Sequence, residues 1–315
     1  MTQGPLGVLL MAYGTPDDLS DVEAYFTDIR GGRPPSAEAV AELKERYIQI
    51  GGRSPLKEIT LRQAKALEVE LNHPPALPQE VRVYVGMKHW HPTIEEALSA
   101  MASDGVAEAV ALILAPQASR LSSATYMQKV ADYRAKAAPH LTIYPVESWH
   151  LEPGFIQALS RRIQELQRPS STPLVVTAHS LPERLRTWDD PYPKQLEEMA
   201  RVLARRSGHG HVRVAYQSAS ATGEPWLGPD ILEVLTELKE EGAQEVIVCP
   251  AGFVADHLEI LYDLDIEARE KARELGLSLY RTESLNDDPL FIEGLAHVVQ
   301  EAFNEGWAGA RAPLP

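Results

Sequence analysis

Short apolar runs alternate with longer segments of helical period along this chain of 315 residues. Six runs predict strands: residues 6–12, 81–85, 110–115, 174–178, 212–216 and 246–249. Such alternation is typical of an α/β protein whose strands are mainly parallel. Ser20, Thr60 and Ser180 are each followed three residues later by Glu or Gln, a pattern that predicts capped helix starts.

A weak internal repeat divides the sequence into two similar parts. Val81-Arg82-Val83 returns as Val212-Arg213-Val214, and Asp104-Gly105 returns as Glu241-Gly242, at offsets of 131 and 137 residues. The repeat predicts two α/β halves that face each other across a cleft. We expect an N-terminal domain at 1–150 and a C-terminal domain at 151–315, with the last helix a candidate to pack back on the first domain.

Composition narrows the class of protein and its partners. The net charge of −15 repels polyanions at long range, which argues against nucleic acid as a partner. Apolar runs fall short of the 18 or so residues that a membrane span needs, and the first residues lack the basic start of a signal peptide. We therefore expect a cytoplasmic protein without a membrane span. Cys249 stands alone, so neither a disulfide within the chain nor an iron–sulfur cluster held by four cysteines is expected.

One segment has a charge opposite to that of the whole chain. Residues 28–57 contain six basic side chains against four acidic ones. This local excess favours a site for a small anionic ligand, and it is equally compatible with a solvated helix face and loop.

Candidate chemistry follows two of the predicted strands. The run at 174–178 delivers His179 to its carboxyl end, and the segment after the run at 246–249 carries Glu259, Asp263 and Glu267, spaced four residues apart. On an α-helix this spacing forms one stripe of like charges, which either faces water or conducts a metal ion. A His and a carboxylate at the ends of two strands predict a divalent-metal or proton-transfer site.

Several motifs occur together with these residues. In chain order they are Met11-Ala-Tyr-Gly-Thr-Pro16, Arg46-Tyr47, Gly51-Gly-Arg-Ser-Pro55, Gly86-Met-Lys-His89, Ala178-His-Ser-Leu-Pro182, Asp190-Pro-Tyr-Pro193, Pro225-Trp-Leu-Gly-Pro-Asp230 and Gly252-Phe-Val-Ala-Asp-His-Leu-Glu259. In this order the sequence resembles the ferrochelatase family, and more closely its coproporphyrin-using branch. The resemblance implies a chelatase-like fold of two facing, Rossmann-like, doubly wound domains with parallel sheets and a porphyrin cleft between them.

The resemblance also implies roles for individual residues. It makes His179 and Glu259 the inner catalytic and metal pair, with Asp263 and Glu267 on an outer metal path. Imidazole titrates near neutrality and suits a base for pyrrole protons, and carboxylate oxygen suits the aquo ion. The residues that the resemblance places against the porphyrin are Tyr13, Arg30, Arg46, Tyr47, Ser54, Tyr126 and Trp226.

Three further positions carry alternatives. His89 and His91 would share one face of a strand as possible ligands, although a solvent-exposed pair is favoured. Gln117 stands where relatives are expected to have histidine, which argues against an outer metal role for the strand before it. His257 is expected to orient the turn that carries Glu259.

The resemblance implies a lyase-class metal chelatase that inserts Fe²⁺ into coproporphyrin III and forms coproheme in haem biosynthesis. No organic cofactor is expected, Fe²⁺ is a substrate, and upstream and downstream haem-pathway enzymes are possible partners. Three alternatives stay open: a protoporphyrin IX ferrochelatase, a cobalt or nickel chelatase for another tetrapyrrole, and a non-catalytic haem or coproheme carrier with Tyr13 as axial ligand.

Overall fold

A computed structural model describes residues 4–74, 76–220 and 223–314. The described residues form two compact units, each built from separate parts of the chain. Unit one takes its residues from Met1–Ala115, Ser122–Trp149 and Asn286–Pro315, and unit two from Pro116–Leu121 and His150–Leu285. Among the described residues, no helix is long and apolar enough to cross a membrane.

Unit one contains a parallel sheet of four strands in the order β2-β1-β3-β4. Its strands are β1 (Leu6–Ala12), β2 (Val81–Met87), β3 (Glu108–Ile113) and β4 (Thr142–Pro145). Its helices are α1 (Val22–Ile29), α2 (Ala37–Gln49), α3 (Leu56–Leu71), α4 (Ile94–Ser103), α5 (Ser123–Ala137) and, at the end of the chain, α11 (Pro289–Trp307). Every residue of β1 is buried, as expected for a central strand covered on both faces.

Unit two repeats this topology with the strand order β6-β5-β7-β8. Its strands are β5 (Leu174–His179), β6 (Val212–Gln217), β7 (Glu245–Cys249) and β8 (Ser278–Arg281). Its α-helices are α6 (Pro153–Glu165), α7 (Pro191–Ser207), α8 (Ile231–Glu240), α9 (Leu258–Leu261) and α10 (Arg269–Glu274), with a 3₁₀ helix at Glu183–Trp188 and a π-helix at Asp263–Ala268. The predicted α/β class with parallel strands is confirmed.

The internal repeat corresponds to equivalent strands in the two sheets. Val81 begins β2 and pairs with the first residue of β1, and Val212 begins β6 and pairs with the first residue of β5. The helix that follows each of these strands begins with a capping box, formed by Thr93 with Glu96 in α4 and by Asp230 with Glu233 in α8.

The side-chain caps predicted at Ser20, Thr60 and Ser180 are wrong, although α1 begins two residues after Ser20, at Val22. Thr60 lies inside α3, where its hydroxyl donates to the Leu56 carbonyl oxygen at 2.8 Å. The residue before α1 is Asp21, without a side-chain cap, and the Ser180 hydroxyl donates to the Leu227 carbonyl instead. The sequence before Thr60 is itself compatible with a helix, so the capping pattern there marks no boundary.

Each unit has a core between its sheet and its helices. In unit one, Leu9 and Met11 of β1 pack in a buried cluster with residues of α4 such as Leu98. In unit two, the corresponding cluster includes Val175 of β5 and Leu235 of α8. These cores hold the strands so that the carboxyl ends of β1 and β5 carry the loops with the predicted site residues.

Candidate functional site

In unit two, His179 and Glu259 meet at the carboxyl ends of neighbouring strands. His179 is the last residue of β5, and Glu259 lies in α9, after the loop that follows β7. The Nε2 atom of His179 lies 3.4 Å from Oε1 of Glu259, and the two side chains are 32% and 29% exposed. The strand order changes direction between β5 and β7, which is where parallel α/β sheets place their ligands. The pair is therefore accessible to a ligand at the switch point of this sheet.

A close backbone approach at Gly252 brings the loop after β7 against β5. The Gly252 N–H donates to the Thr177 carbonyl oxygen at 2.9 Å. A Cβ atom on this glycine would lie 2.4 Å from the Cβ and 2.7 Å from the Cα of Ala178. Only glycine fits this contact, which lies one residue before His179.

We expect Gly252→Ala to destabilise the protein by about 1–3 kcal/mol, because the added methyl group forces the loop away from β5. Metal-dependent activity should fall with it, since the loop leads to Glu259. Urea denaturation with a parallel activity assay measures both effects. Gly210→Ala is the matched control in the same unit, because a Cβ atom there meets no atom within 4 Å. Equal stability of the two variants would contradict the packing argument.

A second histidine lies against the other oxygen of the Glu259 carboxylate. The Nε2 atom of His257 is 3.5 Å from Oε2 of Glu259, and its Nδ1 is 2.9 Å from the Ala255 carbonyl oxygen. The carbonyl contact requires a hydrogen on Nδ1, so it fixes that nitrogen as a donor. His257 thus contacts both the Glu259 carboxylate and the loop before it, and its role in orienting the turn stays a prediction.

Side chains that the sequence analysis did not single out hold the backbone of the pair. Gln217, at the end of β6, donates from Nε2 to the Glu259 carbonyl oxygen at 2.7 Å. Tyr192, at the start of α7, donates from its hydroxyl to the His179 carbonyl oxygen at 2.8 Å. For Tyr192, the motif Asp190-Pro-Tyr-Pro193 was the available sequence signal, because the Asp190 side chain caps α7 by accepting a hydrogen bond from the Tyr192 N–H.

Electrostatics make His179 and Glu259 an ion pair. Burial by itself lowers the pKa of His179, but the Glu259 carboxylate more than offsets this and raises the pKa to about 9. Burial likewise acts to raise the pKa of Glu259, and the two neighbouring histidines instead hold it well below its ordinary value. The nearby carboxylate thus stabilises the imidazolium form of His179, and the role of His179 as a base stays a prediction.

The acidic stripe after Glu259 does not lie on a regular α-helix. The Glu267 N–H donates to the Tyr262 carbonyl oxygen at 3.0 Å, the i→i+5 bond of a π-helix. The predicted four-residue α-helical spacing is therefore wrong from Asp263 onward, since a wider turn places Glu267 at a different angle. Asp263 is buried and accepts a hydrogen bond from Ser218, whereas Glu267 is partly exposed.

Trp226 and Gln117 also belong to unit two. The Trp226 ring lies 6.4 Å from the His179 ring, centroid to centroid, so it is a neighbour of the pair. Gln117 is buried, with its amide nitrogen 3.6 Å from the Met199 sulfur atom. Within the described ranges, no group of three or more His, Cys, Asp or Glu side chains is arranged to hold a metal ion.

In unit one, the rings of Tyr13 and Tyr126 both lie near the amine of Lys88. Tyr13 follows β1 and is 40% exposed, whereas Tyr126 of α5 is buried. The Lys88 Nζ atom lies 5.8 Å from the centre of the Tyr13 ring and 4.9 Å from that of Tyr126. Burial lowers the pKa of Lys88 to about 8, with a smaller effect of the same sign from Lys129. The structure thus brings two of the predicted porphyrin-contact residues together around a lysine that carried no predicted role.

His89 lies beside this group. His91 is exposed, as favoured for the pair, whereas the His89 side chain is not, and the two do not share a strand face. β2 ends at Met87, so both histidines lie in the loop after it. His89 packs on the Tyr13 ring at 4.6 Å between centroids, and its Nδ1 is 2.7 Å from an Asp28 oxygen. Burial lowers the pKa of His89 to about 4, against the effect of the Asp28 contact. His91 instead faces Glu96 at 3.0 Å.

The remaining predicted contacts of unit one have different surroundings. The Tyr47 hydroxyl lies 3.2 Å from the Thr15 hydroxyl, which connects α2 to the loop after β1. Ser54 is buried and accepts a hydrogen bond from the Leu56 N–H at 3.3 Å. The two arginines lie nearer to solvent: Arg46 pairs with Glu42 at 3.2 Å, and Arg30 donates to the Arg33 carbonyl at 3.3 Å.

The ferrochelatase family model matches residues 5–303. The chain belongs to the ferrochelatase family. A protein of Thermus thermophilus named ferrochelatase is 49% identical, over 95% of this chain and 99% of that protein. A Geobacillus thermodenitrificans protein named coproporphyrin III ferrochelatase is 45% identical, over 95% of this chain and 96% of that protein. Membership makes the protein a metal chelatase.

Solved structures show the same fold at low sequence identity. SirB from Bacillus subtilis, solved with Fe³⁺, matches this chain with a TM-score of 0.64 at 12% sequence identity. The match covers 98% of this chain and 99% of SirB. This likeness supports the predicted chelatase fold and carries no information on substrate.

Proposed function

We propose that this chain inserts Fe²⁺ into coproporphyrin III, giving coproheme, as a lyase-class coproporphyrin ferrochelatase. The observation that carries the proposal is the His179–Glu259 pair, which sets an imidazole nitrogen 3.4 Å from a carboxylate oxygen at the switch point of the unit-two sheet. Family membership over residues 5–303 and the name of the Geobacillus relative support it.

The reaction requires a site for the ion and an acceptor for protons. Insertion of Fe²⁺ releases the two N–H protons of the porphyrin as four nitrogens take the metal. In the proposal, Glu259 holds the entering ion through carboxylate oxygen, and the partly exposed His179 accepts the two pyrrole protons one after the other and passes each to water. A cation held by Glu259 opposes the positive charge on His179, so entry of Fe²⁺ favours the neutral imidazole that the reaction needs. Imidazole and carboxylate bind Fe²⁺ moderately, which suits a site that must release the metal.

Unit one contributes the residues proposed to bind the porphyrin. Coproporphyrin carries four propionates, which guanidinium groups such as Arg30 and Arg46 can bind by charged hydrogen bonds. Both guanidinium groups lie near the surface, and the local basic excess of residues 28–57 supports an anionic ligand. Tyr13 is proposed to ligate iron in the product through its phenol oxygen. The cytoplasmic location and the haem-pathway partners stay predictions.

We expect the protein to prefer coproporphyrin III to protoporphyrin IX, because protoporphyrin has two fewer propionates. Loss of one charged hydrogen bond should cost about 1.5–3 kcal/mol of binding free energy. Anaerobic incubation with Fe²⁺ and either porphyrin, followed by the loss of free-porphyrin fluorescence, measures the two specificity constants. Equal constants would favour the protoporphyrin alternative, and binding of coproheme without any insertion would favour the carrier.

A further inference from the structure

The partly buried guanidinium of Arg281, at the end of β8, binds the π-helical segment through side-chain hydrogen bonds. Arg281 donates from Nε to Oδ1 of Asp265 at 2.8 Å and from a terminal nitrogen to Oδ2 at 2.7 Å. This two-point contact matches the planar guanidinium to both carboxylate oxygens, a geometry that lysine cannot reproduce. The Arg281 side chain is only 13% exposed, so water screens the interaction weakly.

The same guanidinium also reaches the loop before Glu259. Its other terminal nitrogen lies 3.7 Å from Oδ1 of Asp256 and donates to the Thr282 carbonyl oxygen at 2.9 Å. The Ser284 hydroxyl donates to that Asp256 oxygen at 2.7 Å. Asp256 and Asp265 lie on either side of Glu259 in the sequence, so one arginine joins both ends of the segment that carries the carboxylate.

The segment has local reasons to need such support. α9 has only four residues, and the residue before it, His257, makes no side-chain cap. The turn after it is π-helical, a rare form that is frequent at functional sites. Arg269 also contacts Asp265, at 3.2 Å, but its side chain is largely exposed and lies on the same helical segment. Arg281 is thus a contact that ties this segment to the sheet.

We propose that Arg281 is a positioning residue that holds residues 256–267 in place and thereby fixes the carboxylate of Glu259. It acts through Asp256 and Asp265 and has no assigned part in the chemistry. The proposal rests on the proposed function, in which Glu259 receives Fe²⁺. Groups that orient a metal-binding side chain typically change metal affinity or activity by about 10–100-fold when they are lost.

The test compares two variants. Arg281→Lys keeps the positive charge and loses the two-point contact of the guanidinium, and Asp265→Asn keeps one oxygen acceptor and loses the negative charge. Both variants should raise the KM for Fe²⁺ by about tenfold or more while the KM for coproporphyrin III stays unchanged. Hydrogen–deuterium exchange should become faster at the amides of residues 258–268. A general loss of stability would not produce this split between the two KM values.

Arg213→Lys is the matched control in unit two. Arg213 of β6 also bridges two carboxylates, with Glu237 at 2.7 Å and Glu241 as its second partner, and these lie on α8 and the residue after it. It should leave both the Fe²⁺ KM and the exchange of residues 258–268 at wild-type values. Wild-type behaviour of both Arg281→Lys and Asp265→Asn, or equal effects of Arg213→Lys, would overturn the proposal.

The two proposals fail in different ways. A wild-type protein that inserts no Fe²⁺ would overturn the proposed function, and the exchange rates of residues 258–268 would then decide the role of Arg281 alone. An active wild type with unchanged exchange in both variants would overturn the positioning role and leave the proposed function standing.

Discussion

His179→Ala should leave porphyrin binding intact and reduce metal insertion by about 100-fold or more, because general acid–base groups contribute on this scale. The substitution removes the proposed proton acceptor and a possible metal ligand together. It also leaves Glu259 with only His257 as a histidine contact of those described above, so the carboxylate loses an ion-pair partner. Porphyrin binding is measured by fluorescence titration, and insertion by stopped or continuous assay at saturating Fe²⁺.

His150→Ala provides a matched control for this substitution. His150 lies in the same unit and also pairs with a carboxylate, with Nε2 3.2 Å from Glu198, but it lies before α6 and not at a strand end. The His150 side chain is only 13% exposed, so the variant removes a partly buried histidine that is not at a strand end, and it should remain active. Near wild-type turnover of His179→Ala at saturating metal would make His179 a structural residue.

The central strands were predictable because they are apolar along their whole length. All six predicted runs correspond to strands β1 to β3 and β5 to β7. β4 and β8 were missed: each has four residues at a sheet edge. β8 has no buried residue, and only Ile143 and Tyr144 are buried in β4. An edge strand lacks the continuous burial that produces an apolar run.

The proximity of His179 and Glu259 was predictable, whereas the backbone geometry around them was not. Strand ends and motifs pointed to His179 and Glu259, which the structure places 3.4 Å apart. The π-turn was not predictable, because its i→i+5 hydrogen bond leaves the apolar pattern of a short segment almost unchanged. Arg281 and Gln217 were missed for another reason. Their contacts join residues distant in sequence, and no local spacing reports such pairs.

Glu259→Gln should lower turnover by about 100-fold, whereas Asp263→Asn and Glu267→Gln should chiefly raise the KM for Fe²⁺. The amide that replaces the Glu259 carboxylate keeps the shape of the side chain and removes the charge that would hold the ion. Asp263 is buried beside Ser218, and an amide oxygen there can still accept that hydrogen bond, so the variant tests charge and not folding. The predicted loss is therefore graded from inside to outside.

Electrostatic attraction also predicts that the effect of these substitutions on the KM for Fe²⁺ depends on salt. Outer carboxylates that attract Fe²⁺ raise its local concentration, so neutralising one should raise the KM by about tenfold at low ionic strength. The effect should shrink with added salt, because screening shortens the range of exposed charges, and partly exposed Glu267 should respond more than buried Asp263.

Glu270→Gln is the control for the loss of one negative charge. Glu270 lies on α10, in the turn after the π-helix, and pairs at the surface with Arg273 at 3.0 Å. Its neutralisation should leave the Fe²⁺ KM unchanged, because its charge is already matched and solvated. Steady-state kinetics over a range of Fe²⁺ at fixed coproporphyrin III, at two salt concentrations, decide the question. If Asp263→Asn and Glu267→Gln match Glu270→Gln in metal dependence, the acidic residues beyond Glu259 have no part in metal delivery, and the π-helical segment serves only to place Glu259 beside His179.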